Sequence, residues 1–361
     1  MTALDRSAAA LGRTISRLAL AAAALGVLAF LLGLALGRPR AAFAALDASW
    51  LFFAGLSAGA VALAAAVRVA GGGWARPVLP LADASVAFFP PAFVLLVVLL
   101  LGVRTLLPSS GEAAPGLAAI VVRQLASAVA VFGIGAAFVA AARDPRAPAE
   151  RVRGLAVAYV VVYAIGLSFW VFDLVMQLSE APPYTVLPPY YFLGAFLSGL
   201  AWVALVAAVR DVSGPDLRHD LGKLLFAFIV VWSYLLWSLF LPTWYGNVPE
   251  ESAELLRRWR GPYRPITAAV LVAVFAWPFW LLFSQRLKRR RTTLALGAGT
   301  ILLGLWAERF LLVVPSVAGP GEPLSVLIGA GTALGVAGLF VLSVGSALPQ
   351  TSAEAGGARR A

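Results

Sequence analysis

Charged side chains inside long apolar runs are the residues of this sequence with most chemistry to offer. Each costs a few kcal/mol in hydrocarbon and needs a partner or a wet cavity. Arg123, Asp173, Glu308 and Arg309 are four such residues. Asp173 shares one helical stripe with Tyr159, Tyr163, Trp170 and Gln177, because their spacings of three, four and seven return to the same face. Such a stripe reads two ways. It can wall a quinone pocket or line a proton path through Tyr159, Tyr163, Asp173 and Glu308. It can equally hold a structural ion pair, Asp173 with Arg123 or with Arg309, flanked by interfacial aromatics. The residues alone leave both readings open. Thr300, Gly304 and Glu308 repeat the pattern more weakly, and Glu308 and Arg309 can neutralise each other's surroundings. Asp83, with Ser85 close by, begins another apolar run. It either admits protons from the inner side or caps its helix and snorkels to the interface.

Metal chemistry is limited by what the chain lacks. It has no cysteine, one histidine (His219) and two methionines. Iron–sulfur clusters need several thiolates, so this chain alone binds none. A bis-histidine haem is likewise excluded, and structural zinc is not expected. Any redox metals belong to partner chains. His219-Asp220, with Lys223 one turn later, reads as a solvated helix start, where Asp220 suits the positive end of the helix dipole.

The elements that position these residues are membrane helices. Of 361 residues 61% are hydrophobic and only 12% charged, where a soluble protein carries roughly a quarter charged. Mean hydropathy is +0.90. Apolar runs are long enough to cross about 30 Å of hydrocarbon, which predicts an all-α polytopic membrane protein of about ten helices. They are expected near 15–37, 45–70, 78–102, 116–142, 154–178, 189–210, 221–245, 265–286, 293–315 and 323–348. The first run, from about Leu18 to Leu36, exceeds a signal-peptide core and is expected to stay as an anchor. The net charge of +11 is carried at helix ends, which reads as topology determinant and anionic-lipid contact rather than nucleic-acid binding. Most Lys and Arg fall on the side of both termini, above all the cluster Arg286, Lys288, Arg289, Arg290 and Arg291. Both termini are therefore expected in the cytoplasm.

A faint internal repeat relates Ala54-Gly55-Leu56-Ser57-Ala58-Gly59-Ala60 to Ala195-Phe196-Leu197-Ser198-Gly199-Leu200-Ala201. Four helices separate them, so the repeat is parallel. It predicts four parts: a tail and peripheral helix (1–44), two four-helix bundles (45–180 and 181–316), and a peripheral helix and tail (317–361).

Three segments carry a family resemblance. One opens His219-Asp220-Leu221-Gly222-Lys223 and closes Trp244-Tyr245-Gly246-Asn247-Val248-Pro249-Glu250-Glu251. The second is Phe172-Asp173-Leu174-Val175-Met176 followed by Tyr190-Tyr191-Phe192, and the third runs from Trp306 to Pro315. Together they resemble the large membrane subunits of alternative complex III, in the NrfD/polysulfide-reductase membrane family, and the length resembles the shorter, ActF-type subunit. The resemblance covers about 154–348 by motif and the first bundle by helix count. It implies a bacterial inner-membrane subunit of a respiratory quinol:cytochrome c, or other periplasmic acceptor, oxidoreductase. The implied partners are a paralogous quinol-binding membrane subunit, a multihaem cytochrome c subunit, an iron–sulfur subunit and lipids, with haems and clusters on the partners. The family's quinol site usually pairs a histidine with an acid, and no histidine lies in helices two to five. Glu308-Arg309-Phe310 also stands where the family more often has Asp, an apolar residue and Tyr. An anchoring or proton-conducting companion role is therefore expected. The alternatives are a quinone-binding subunit of another redox complex and a secondary transporter. Against the transporter, Pro90-Pro91 and Pro278 do not break equivalent helices.

Overall fold

Inside hydrocarbon every backbone N–H and C=O must be bonded within the protein, so a long apolar segment resolves into helix or closed barrel. The computed structural model describes residues 3–108, 116–178, 185–259, 261–317 and 323–349, and among them there is helix and no strand. Ten helices are long and apolar enough to cross a membrane: α1 Gly12–Ala35, α2 Pro39–Val69, α3 Leu79–Thr105, α4 Leu117–Arg143, α5 Ala149–Leu178, α6 Leu187–Val209, α7 Pro215–Gly246, α8 Gly261–Phe283, α9 Arg291–Val317 and α10 Leu324–Ala347. The chain is an all-α, multi-pass membrane protein.

α2 and α7 each begin six residues earlier than the hydropathy suggests, and proline is the reason. Pro39 and Pro215 occupy the first turns of α2 and α7, where a fixed φ and a missing N–H cost nothing. Residues expected at or before helix starts thereby move inside them. His219 and Asp220 lie in the first turns of α7 rather than ahead of it, with Lys223 one turn on.

Proline also interrupts helices. Pro90 and Pro91 remove two N–H donors, and α3 passes through a 3₁₀ stretch at Ser85–Phe88. Ser57 of α2 donates its hydroxyl to the Ser85 carbonyl at that break. In α8 a π-helical turn, Val272–Ala276, precedes Pro278. These breaks fall in the second helix of one predicted bundle and the third of the other.

The core is organised around α2 and α6. Most of both helices is buried, and the two similar segments of the internal repeat pack on one another. A side chain on Gly59 would collide with the Ala195 carbonyl, and one on Gly199 with the backbone of Gly59 and Ala60. Small residues let two helix backbones touch, which is the main source of close packing when lipid offers no hydrophobic drive. The first helices of the two predicted bundles thus share one core. Around this pair, α9 crosses both, α5 packs against both and carries α4 on its outer side, and α7 and α8 close the flank beside α6 and α9. On the far flank α10 packs against α2 and holds α1, meeting it where Gly26 faces Gly335.

Candidate functional site

The charged layer lies at the helix ends remote from the arginine-rich loops, and it divides into two sites. At the first, α4 and α5 place Arg123 beside Asp173. Arg123 donates Nε–H to Oδ2 at 2.9 Å and Nη2–H to Oδ1. Gln124 adds a second donor to Oδ2 at 2.8 Å and another to the Phe169 carbonyl at 2.8 Å. The guanidinium also sits 5.2 Å from the Phe172 ring centroid. Asp173 is fully buried. Arg123, not Arg309, is its partner, and a forked, multiply bonded carboxylate has little freedom to exchange a proton.

The rest of the α5 stripe is bonded in the same manner. Tyr159 donates to the Ala58 carbonyl of α2 at 3.0 Å, Tyr163 to the Phe192 carbonyl of α6 at 2.6 Å, and the Trp170 indole to Ser127 of α4 at 3.1 Å. Gln177 falls in a 3₁₀ turn, Met176–Leu178, beyond the end of regular helix. The stripe is real, but its polar heads tie α5 to three neighbours. Asp83 is similarly engaged: Arg68 grips both its oxygens, at 3.0 Å and 2.6 Å, with its guanidinium 5.3 Å from the Phe138 ring.

The second site lies where α2, α6 and α9 meet. Arg309 is bonded to the neighbouring Glu308, donates to the Tyr191 carbonyl at 3.3 Å, and lies 4.5 Å from the Tyr191 ring centroid. Gly194 makes the space, since a side chain there would stand 2.7 Å from the guanidinium. The Tyr191 hydroxyl donates to the Leu51 carbonyl at 2.9 Å, fastening α6 to α2. Tyr190 and Tyr163 lie within electrostatic reach of this ion pair. Glu308 is buried: Arg309 holds one of its oxygens, the Tyr190 hydroxyl lies close to the carboxyl, and Oε1 makes no hydrogen bond of ordinary geometry among the described residues.

Beside this cluster is a residue that hydropathy reading passes over. Asp47 of α2 is fully buried, neither of its oxygens has a hydrogen-bond partner among the described residues, and it acts electrostatically on Tyr191. It stands about 12 Å along the helix from Pro39 at 1.5 Å per residue. A buried carboxyl with no protein donor or counter-ion beside it is open to a proton, a cation or a bound water. The usable signal was Pro39, which starts α2 early enough to carry Asp47 two turns inward.

Residues of the α7 motifs lie apart from both sites. Lys223 pairs with Asp220 at 2.7 Å. His219 has a buried Nδ1 without a hydrogen bond, amid Arg289, Lys223 and Lys288. No group of three potential metal-ligating acids or histidines occurs among the described residues. At the other end Trp244 and Tyr245 are exposed, Asn247 takes the left-handed conformation (φ 47°) that closes α7, and Pro249 opens a short amphipathic helix, Pro249–Trp259. The Glu250 side chain lies outside the described residues.

This surface helix reaches the second site. Pro315 lacks the N–H that would bond the Leu311 carbonyl four residues earlier. Arg258 supplies the missing donor, from Nε at 2.9 Å, and its guanidinium also acts on Glu308. Chemically, the second site offers two buried acids that both act on Tyr191, one of them paired with a fixed cation, an arrangement able to hold and pass a proton. No family model and no curated protein matched the sequence.

Proposed function

We propose that this chain is the accessory membrane subunit of a bacterial respiratory quinol oxidoreductase of the alternative complex III type. It anchors cofactor-bearing partners in the inner membrane and relays protons, while electrons move through the partners' haems and iron–sulfur clusters. The observation that carries the proton role is Asp47, a buried acid whose two oxygens are open among the described residues and which, like Glu308, acts on Tyr191. The relay runs through these two rather than through Asp173 or Asp83, whose oxygens are held by arginine. A proton leaving the Asp47 carboxyl is received near Tyr191 by the Glu308 carboxylate, whose charge Arg309 offsets.

The test is the intact complex purified in mild detergent and reconstituted into vesicles. Asp47→Asn and Glu308→Gln are expected to lower protons moved per quinol oxidised at least twofold, with quinol turnover retained. Unchanged proton stoichiometry in both variants would refute the relay. Failure of any multihaem cytochrome or iron–sulfur chain to co-purify would refute the subunit role, and a chain that purifies alone and binds a solute would indicate a transporter.

A further inference from the structure

At the arginine-rich end, α2, α3, α4 and the end of α10 line an open-mouthed cavity of about 400 Å³, a size that suits a small ligand group. Among the described residues its only acid is Asp83, nearly fully buried at 3% exposure, and both Asp83 oxygens are bonded to Arg68. That pair is neutral overall. Two more guanidinium groups line the cavity, Arg76 from the α2–α3 loop and Arg143 from the last turn of α4. Neither side chain has a hydrogen-bond or ion-pair partner among the described residues. Arg143 lies within electrostatic reach of Asp83 but makes no hydrogen bond to it, both Asp83 oxygens being bonded to Arg68. The cavity therefore holds two positive charges beyond those its own acid offsets.

Guanidinium groups are planar forks that match phosphate oxygens, and each is worth more to a phosphate than to water when the site is partly desolvated. The cavity sits at helix ends, the level at which lipid headgroups lie. Its remaining wall, with Leu79, Pro80 and Ala347, is apolar, which suits the glycerol and upper acyl region of a lipid.

We infer that this cavity is a binding site for a phosphate-bearing anion, taken either from the headgroup of an anionic phospholipid or as free phosphate, with Arg76 and Arg143 as its ligands. Arg68 and Asp83 form its floor.

The test uses the full-length chain in detergent with three probes: phosphatidylglycerol, phosphatidylcholine and inorganic phosphate. Binding is read by retained lipid in native mass spectra and by shift of the thermal midpoint. Arg76→Gln/Arg143→Gln removes the two ligands, which are exposed and unpaired, so the fold is not at risk. Arg286→Gln/Arg290→Gln removes the same charge elsewhere on this end. Saturable binding of phosphatidylglycerol over phosphatidylcholine, or of inorganic phosphate, is expected, weakened about tenfold in the first variant and unchanged in the second. The probe that binds identifies the source. Binding of neither anion, equal retention of both lipids, or equal losses in the two variants would overturn the site.

Discussion

The α4–α5 contact and the α2–α6–α9 junction treat a buried acid in opposite ways. At the first, Asp173 receives two N–H groups from Arg123 and one from Gln124, so its two oxygens are engaged by three donors. At the second, Arg309 serves Glu308 and the Tyr191 carbonyl, Glu308 has besides only the nearby Tyr190 hydroxyl, and Asp47 receives no donor among the described residues. The first arrangement fastens helices. The second keeps acids whose charge can change, inside a frame fastened by other means, chiefly the glycine crossing of α2 on α6. A sequence of membrane helices can therefore carry several intramembrane carboxylates of which only the unsaturated ones are available for chemistry.

The strongest way to break this comparison is to remove one side of the saturated pair. Arg123→Ala leaves Asp173 buried without its main partner, and breaking buried pairs costs roughly 3–5 kcal/mol. Arg123 is partly exposed, at 27%, so the loss should fall at the lower end, seen as a reduced unfolding midpoint in detergent. A loss below about 1 kcal/mol would mean that the pair does not fasten α4 to α5. Asp47→Asn should lie within about 1 kcal/mol of the parent in the same assay, because no hydrogen bond is lost. A cost equal to that of Arg123→Ala would erase the distinction between the sites. The smallest effect extends the contrast to a cation. Lys288 lies in the loop between α8 and α9, its stem against Gly222 and its ammonium 5.6 Å from the Phe226 ring centroid. Burial, aided by nearby Lys223, pushes Lys288 below its ordinary value of 10.5. The unfolded chain thus holds this proton to higher pH than the folded one, and stability rises with pH just below 10.5. Lys288→Met should be slightly more stable at neutral pH, and its advantage should shrink as the pH approaches that value.

Much of the architecture was legible because hydrocarbon thickness imposes a length on every apolar run. The ten helices followed from that alone, and the polar face of α5 followed from periodicity. The Asp173–Arg123 pair was one of two partners the residues allowed, and only the packing of α4 on α5 decides between them. Asp47 was not legible from hydropathy. An acid near the start of an apolar run looks like a residue at the water boundary, and α2 is apolar nearly all round, so no periodic signal marks its inward side. Its burial depends on six further residues of helix that Pro39 initiates. The surface helix Pro249–Trp259 was also missed, since its charged composition resembles a loop until Asn247 turns the chain.

The proline in α9 has a mechanical consequence. By withholding one N–H it leaves the Leu311 carbonyl to be held from outside, and Arg258 holds it. That carbonyl stands one helical turn beyond Glu308. A load on the amphipathic helix is thus borne by the backbone that carries the ion pair, and the surface strut and the buried charges move as one lever.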